Sequence, residues 1–456
     1  MSIARIALAA GWLAAGAAAQ PPALTIEQAV TQAVEKYPSV RVSLERVSAA
    51  AAGIDLARTA YLPRAELLGQ TNRATRNNVF GLLMPQPVVS PISGPVLGKA
   101  SLTNVWGTAV GVLVSWEPFD FGLRQAAVGA ARSERERADA QAGVARLEVA
   151  AAAADAFLTT LAAEQTVRAA RAGVDRALVW EQAVRALVGA ELRPGVDASR
   201  AAAELAQART QLIQTERAEQ MSRVALAQLL GVPAATLRLD PEPLLRGPAQ
   251  LDPPEQAAPA HPRARAQNTV VEAARSRQRV LERSYFPRFA LQGTTFSRGS
   301  GANPDGTTGG AGAGLGPNFY NWGLGLSVTF PALELPSLRA RRRMEAHQQQ
   351  AEAARYQQVL RELEGDREKA RAALVAARRI AEHTPLQLAA ARDLERQASA
   401  RYQAGLATAV ETAEAQRLLT QSEIDNALAG LGVWRALLAV EAAGGDLTPL
   451  LERTRR

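Results

Sequence analysis

The chain is written twice, and whatever the first copy folds into, the second must fold into as well. Tyr61-Leu62-Pro63-Arg64 returns as Tyr285-Phe286-Pro287-Arg288, and the same succession of segments follows each copy. A polar strand comes first, then a loop, then a second alternating strand ending in Trp116 or Phe330, then a very long Ala/Arg/Glu-rich helix. Each long helix reaches a glycine turn (Gly189, Gly405) and a shorter helix that ends in Gly231 or Gly445. Trp116 to Phe330, Asp197 to Glu411 and Gly231 to Gly445 are all 214 residues apart. A repeat of this length is a duplicated structural unit, not a solenoid module. A strand pair spliced between long helices in each copy is a rare combination, and it points at a membrane.

The strands sharpen that reading. Trp106, Thr108, Val110, Val112, Val114 and Trp116 alternate with Gly107, Ala109, Gly111 and Ser115, with Leu113 the one apolar intruder on the second face. In the second copy Trp322, Leu324, Leu326, Val328 and Phe330 alternate with Asn321, Gly323, Gly325, Ser327 and Thr329. Successive strand side chains point to opposite faces, so one face is apolar with aromatic ends and the other is small and polar. A tilted transmembrane strand facing lipid outward and water inward has this pattern; a soluble half-buried hairpin alternates as well. The partner strands, Arg64 to Arg73 and Arg288 to Arg298, are more polar. Four strands cannot close a barrel, and a bilayer leaves no unsatisfied sheet edge unpunished. Such a chain must oligomerise, and three copies would supply twelve strands.

The N-terminus agrees with export. Arg5 precedes an apolar stretch from Ile6 to Ala15, and Ala17-Ala18-Ala19 offers a cut before Gln20, so residues 1–19 form the expected signal peptide. No other segment shows about 20 uninterrupted apolar residues. There is no cysteine, hence no disulfide, thiol chemistry or lipid-bearing cysteine. The net charge of +8 is carried by arginine, with Lys36, Lys99 and Lys369 the only lysines. These arginines are spread among Glu and Asp as on solvated helix faces, and no nucleic acid partner is expected.

The organisation then follows. A first repeat spans 20–231 with its hairpin at 64–116, and a second spans 263–445 with its hairpin at 288–330. Between them 232–262 holds eight prolines and is expected to be a linker. Residues 446–456 are expected to be a mobile tail. Both hairpin loops, Ala74 to Asn104 and Gly299 to Gly316, are expected to be flexible; the second lacks the lysine of a phosphate loop and precedes a strand. From Phe119 to Gly189 no proline interrupts, so one helix of about 100 Å is predicted, needing a coiled-coil-like partner. Pro385 predicts a kink or break near Thr384 in the second long helix. Shorter helices are predicted at Thr25 to Ala60, Asp197 to Leu230, His261 to Ser284 and Val410 to Ala443. No catalytic, cofactor or metal site is expected: His261, His347 and His383 are isolated and no nucleophile motif is present.

The duplicated Tyr-x-Pro-Arg step, the exit Trp116-Glu117-Pro118-Phe119-Asp120-Phe121-Gly122 and the turn Tyr402-Gln403-Ala404-Gly405-Leu406-Ala407 give the chain its resemblance. In their order and spacing it resembles the TolC-type outer-membrane efflux proteins. The resemblance implies a mostly α protein with a membrane β-barrel: a homotrimer whose twelve-stranded barrel sits in outer-membrane lipid and continues as a long periplasmic α-helical barrel. It implies passive conduction, powered by an inner-membrane pump through a periplasmic adaptor that docks on the helix tips. Val188-Gly189 and Gly405-Leu406-Ala407 match those tips, with two extra residues before Asp197 in copy one. Glu411 and Glu414, three apart on one helix face, match the family's acidic constriction rings; alone they would be solvated helix-start acids. Tyr402 and Asp197 match further gate positions, and Ala407 lacks the basic residue of the prototype. A periplasmic coiled-coil adaptor without a pore is the competing expectation, although no compact β modules flank a helical hairpin. The cargo is not encoded: drugs, metal ions and secreted proteins fit the generic small and polar lining equally well.

Overall fold

The computed structural model describes residues 23–75, 102–245 and 258–454, apart from 304, 306 and 318. The expected signal peptide, most of the first hairpin loop and the middle of the linker lie outside the described residues. The chain packs as two units, Met1–Arg41 with Ala145–His261 and Glu362–Arg456, and Val42–Val144 with Pro262–Arg361.

The second of these units holds the sheet. Strands β1 (Arg64–Thr75), β2 (Asn104–Phe119), β3 (Arg288–Ser300) and β4 (Phe319–Thr329) form one antiparallel sheet in the order β1-β2-β3-β4. The two hairpins therefore pair with each other through β2 and β3, and β1 and β4 are the edges. Registered partners lie on one face of a sheet. Trp116 pairs with Leu291 and Leu291 with Leu326; Val114 reaches Leu324 through Gly293, and Val112 reaches Trp322 through Thr295. Leu67 extends the row by pairing with Val112. The alternating apolar rows read from sequence thus merge into one continuous face. Along it Leu67, Val110, Val114, Trp116, Trp322, Leu324, Leu326 and Val328 are exposed, as is Phe330 just beyond β4. Trp106 and Val112 are half-buried.

The described residues of the second hairpin loop fold back on the strand ends. Gly301 N donates to Trp106 O at 2.9 Å, and Ala302 bridges Thr308. Gly314 has φ +92° and sits so close that a Cβ there would lie 2.1 Å from Trp106 O, so only glycine fits.

Where β2 leaves the sheet, the chain turns through two left-handed residues, Phe121 and Gly122. The Asp120 carboxylate accepts from Gly122 N, Arg124 N and Arg124 Nε at 3.1, 2.7 and 2.9 Å. Arg124 lies over the Tyr61 ring at 4.8 Å, and Trp116 Nε1 donates to Tyr61 O at 3.1 Å. The two motifs of the first copy are thus stitched together. The second copy has no such knot; Pro331 leads into a single 3-10 turn, Ala332–Glu334.

The helices largely follow expectation. After α1 (Ile26–Lys36) and α2 (Pro38–Thr59) come α3 (Leu123–Gly189) and α4 (Gly195–Leu230). A short α5 (Glu242–Leu245) precedes α6 (Pro262–Arg283), α7 (Leu335–Gln403), α8 (Ala409–Gly444) and α9 (Thr448–Arg453). The single helix predicted from Thr25 to Ala60 is two. Pro38 forces Tyr37 into an extended conformation, ψ 130°, and α1 ends there. Of the kink or break predicted near Thr384, the break is absent: α7 runs for 69 residues with Pro385 inside it. Just beyond the proline, Gln387 Nε2 donates to Ser422 Oγ at 3.3 Å, and Leu388 and Ala391 pack on Leu419 of α8. That lateral support outweighs the one lost backbone bond.

The core of the first unit is built by α1, α3, α4, α7 and α8 around Phe157, Leu158, Leu161, Leu226, Leu230, Trp434 and Leu437. Gly173 lets α3 approach α8 closely, since a Cβ there would meet Thr420 at 3.1 Å. Although expected to lie outside any core, the linker reaches into it: Leu237 and Leu244 are buried, and Trp434 Nε1 donates to Leu244 O at 3.0 Å. Within the expected mobile tail, Thr448–Arg453 forms α9, whose Leu450 is buried and whose Arg453 pairs with the buried Glu441 at 3.2 Å. By length and composition α8 is apolar enough to cross a membrane, although Arg435 and Glu441 interrupt its apolar run, and its apolar residues build this core.

Candidate functional site

The two interhelical turns lie together in the first unit. Left-handed backbone marks the corner of each, at Glu191 (φ 59°) and Gly405 (φ 78°). In turn one Leu192 N donates to Leu187 O at 2.9 Å; in turn two Leu406 N donates to Arg401 O at 2.8 Å. These are the six-to-one bonds of a Schellman ending. Glu191 and Gly405, Leu192 and Leu406, and the caps Pro194 and Thr408 are each 214 residues apart. The register is therefore unbroken through the turn, and the two extra residues inferred before Asp197 do not exist. The counterpart of Gly405 is Glu191, and Gly189 is simply the last residue of α3. The counterpart of Ala407 is Arg193.

Correct registration explains the contacts. Tyr402, only 3% exposed, sits at the centre of a small cluster with Trp180, Val184, Ala201, Ala407, Ala409 and Ala413. Its hydroxyl donates to Asp197 Oδ2 at 3.1 Å. Its ring meets Trp180 edge-on with centroids 6.4 Å apart. Above the other face lies the Arg193 guanidinium, 4.3 Å from the centroid, which also donates to the Tyr402 carbonyl. Burial, and next the Asp197 charge, push the Tyr402 phenol up to about 12, so it is a proton donor at any physiological pH. Arg193, Tyr402 and Asp197 thus form a clasp that ties turn one to the end of α7.

Glu411 and Glu414 are both exposed on the first turns of α8. They are not equivalent. Glu411 closes a capping box with Thr408: its N–H donates to Thr408 Oγ1, and its carboxylate accepts from Thr408 N at 3.3 Å and Thr408 Oγ1 at 3.0 Å. Glu414 makes no such bond among the described residues. Of the predicted docking residues, Leu406 is 70% exposed and Gly189 and Gly405 are exposed, while Val188 packs partly against the cluster. Ala407 is only 6% exposed and is a packing residue, not a surface one. The exposed positions that sequence reading missed are Leu192, 69% exposed, and Val196. Arg193 and Trp180 were also missed; carrying the 214-residue offset through the turn would have found Arg193 opposite Ala407.

A duplicated chain, one unit of which carries an apolar-faced sheet left open at both edges and the other a pair of clasped interhelical turns, is the build of a membrane duct subunit. The chain belongs to the outer membrane efflux protein family, whose model matches residues 29–232 and 254–446. Its place is accordingly the outer membrane, and the family consists of channel proteins. Among characterised relatives, the CyaE protein of Bordetella pertussis is 27% identical over 230 residues, 49% of this chain and 44% of that protein. Less than half of CyaE's length is thus matched. The fold is that of the outer-membrane channel OprN, with TM-score 0.71 and 21% identity over 92% of this chain and 89% of that one. It is equally that of the outer membrane protein VceC of Vibrio cholerae, with TM-score 0.72 and 17% identity over 92% and 96%.

Proposed function

We propose that the protein is the passive exit duct of a tripartite efflux or type I secretion system, working as a homotrimer with a periplasmic adaptor and an inner-membrane pump. The observation that carries this reading is the sheet: a continuous apolar face across four strands whose outer edges, β1 and β4, are unpaired. In lipid each unpaired edge carries a row of unsatisfied N–H and C=O groups, so β4 of one copy pairs with β1 of the next. Three copies give a closed barrel of twelve strands, with Gly325, Ser327 and Thr294 on the water-facing side. The turns are the closed end. The Arg193–Tyr402–Asp197 clasp holds each protomer's two turns together, and its release widens the aperture. Around the axis, Glu414 and Glu411 form rings of carboxylates that favour cations. Glu414 is the freer of the two, since Glu411 also caps α8. Exposed Leu192, Val196 and Leu406 offer the adaptor an apolar grip with Gly189 and Gly405.

The test is purification in detergent followed by single-channel recording in planar bilayers. A stable monomer with native strand content, measured by light scattering, overturns the duct. Leu326→Arg is expected to abolish insertion, because a charge on the lipid face costs about 2–4 kcal/mol at mid-bilayer, while Ser327→Arg is expected to assemble and alter conductance. Gly111 is unsuitable as the water-face control, since a Cβ there would lie 2.5 Å from Phe296 Cβ. Replacing Glu411 and Glu414 by Ala is expected to weaken cation selectivity; unchanged selectivity leaves them as helix-start acids only.

A further inference from the structure

The two copies differ most in charge where helices meet the sheet. In the second copy, residues 273–283 and 331–345 hold eight arginines against three glutamates. The matching stretches of the first copy, 49–59 and 117–131, hold two arginines against two aspartates and one glutamate. Of the eight, Arg275 pairs with Glu272, Arg277 with Glu345 and Arg342 with Glu282. Arg279, Arg283, Arg339, Arg341 and Arg343 are exposed and make no ion pair among the described residues. Four of them form two like-charge i,i+4 pairs, Arg279 with Arg283 on α6 and Arg339 with Arg343 on α7. Stacked like charges at this spacing destabilise a helix in water. They become favourable only against an anionic partner.

Their place in the fold says which partner. Arg283 lies five residues before β3 begins at Arg288, and α7 begins at Leu335, four residues before Arg339. At 1.5 Å per residue the α7 pair stands roughly 6–12 Å into that helix, which is headgroup depth beside a membrane sheet. The apolar face ends at Val328 and Phe330, and Leu333 beyond it is 96% exposed. Guanidinium forks recognise phosphate bidentately and stay charged at every relevant pH. We propose that this second-copy collar binds the headgroups of anionic phospholipid in the leaflet at the helical end of the sheet, once per protomer. The site rests on the membrane reading given above. The first copy, whose only arginine beside the strand exit is tied to Asp120, carries one more acidic than basic group over the matching stretches and does not bind.

Native mass spectrometry of the detergent-solubilised full chain tests this, with short-chain phosphatidylglycerol, phosphatidylcholine and inorganic phosphate as probes. The expected result is retention of phosphatidylglycerol over phosphatidylcholine, weakened by salt, with free phosphate a poor competitor. In the R279Q/R283Q/R339Q/R343Q variant, affinity for phosphatidylglycerol is expected to fall roughly tenfold or more, with the oligomer and its conductance intact. Equal retention of the two lipids, unchanged binding by the variant, or full competition by free phosphate each overturns the collar. Dissociation of the variant into monomers without lipid also overturns it, and places these arginines at a subunit contact instead. Failure of the unmodified chain to insert into bilayers would sink the duct reading itself; insertion with equal lipid retention sinks only the collar.

Discussion

The first interhelical turn, Gly189 to Gly195, and the second, Gln403 to Ala409, close with the same backbone hydrogen bonds but with opposite side-chain chemistry. Turn one places Glu191 at the left-handed corner, Arg193 two residues on, and Pro194 as a cap with no side-chain bond. Turn two places Gly405, Ala407 and Thr408 at those positions, and Thr408 builds a full capping box. Tyr402 has Val188 as its counterpart, and Asp197 has Glu411. The clasp exists because the copies diverged. Two identical turns would set arginine beside valine twice; two divergent ones set Arg193 and Asp197 of one against Tyr402 of the other. Duplication supplied the shared backbone, and substitution turned one half into a clamp and the other into what it holds.

That comparison can be broken most sharply at the clasp. Tyr402→Ala removes a buried ring and its bond to Asp197, and is expected to cost about 3 kcal/mol of tip stability. Val188→Ala, at the matching position of turn one, is expected to cost about 1 kcal/mol. Hydrogen exchange of the turn amides reads both, and equal effects would mean that the two turns carry equal weight. Arg193→Gln, lacking the charge over the ring, falls between them.

A smaller effect of opposite sign is expected at the corners. Gly405→Ala forces a side chain into left-handed backbone and costs about 1 kcal/mol. Glu191→Gly relieves that strain and is expected to raise stability by a little under 1 kcal/mol, since glycine adds entropy to the unfolded chain. Thermal unfolding compares the pair; loss of stability in both variants would refute the equivalence of Glu191 and Gly405.

The smallest effect is a dependence on pH. The phenol ionises near its ordinary value of about 10 in the unfolded chain and is pushed up to about 12 by burial and by Asp197 in the folded one. The clasp contribution is therefore fully present below pH 10 and is lost as the pH rises through about 12. Exchange protection of turn one should fall over that window in the unmodified protein and not in Tyr402→Phe.

Much of the fold was legible in the sequence because it depends on periodicity and punctuation. Alternation over Trp106–Trp116 and Trp322–Phe330 marked β2 and β4, and Gly231 and Gly445 marked the ends of α4 and α8. The misreadings share a cause. Tyr37 ends α1 through the proline that follows it, while Pro385 ends nothing because α8 braces α7 beside it. Leu237, Leu244 and Leu450 sit in segments rich in proline or close to a terminus, and only the surfaces they meet make them core. At the tip, glycine usually marks a left-handed corner, but Glu191 occupies the first one, so Gly189 misleads by two residues and hides Arg193 as the counterpart of Ala407.

By itself the sequence determined the duplication, the secondary-structure types and the apolar row on each outward strand, since these follow from local conformational preference and from the spacing of side chains along one element. Only the tertiary structure decided that β2 pairs with β3 to merge those rows into one face, that Arg193 covers Tyr402, and that Arg279, Arg283, Arg339, Arg341 and Arg343 make no ion pair among the described residues. Pairings between residues some 200 positions apart leave no periodic trace in the chain. They are set by which surfaces meet when the two copies pack.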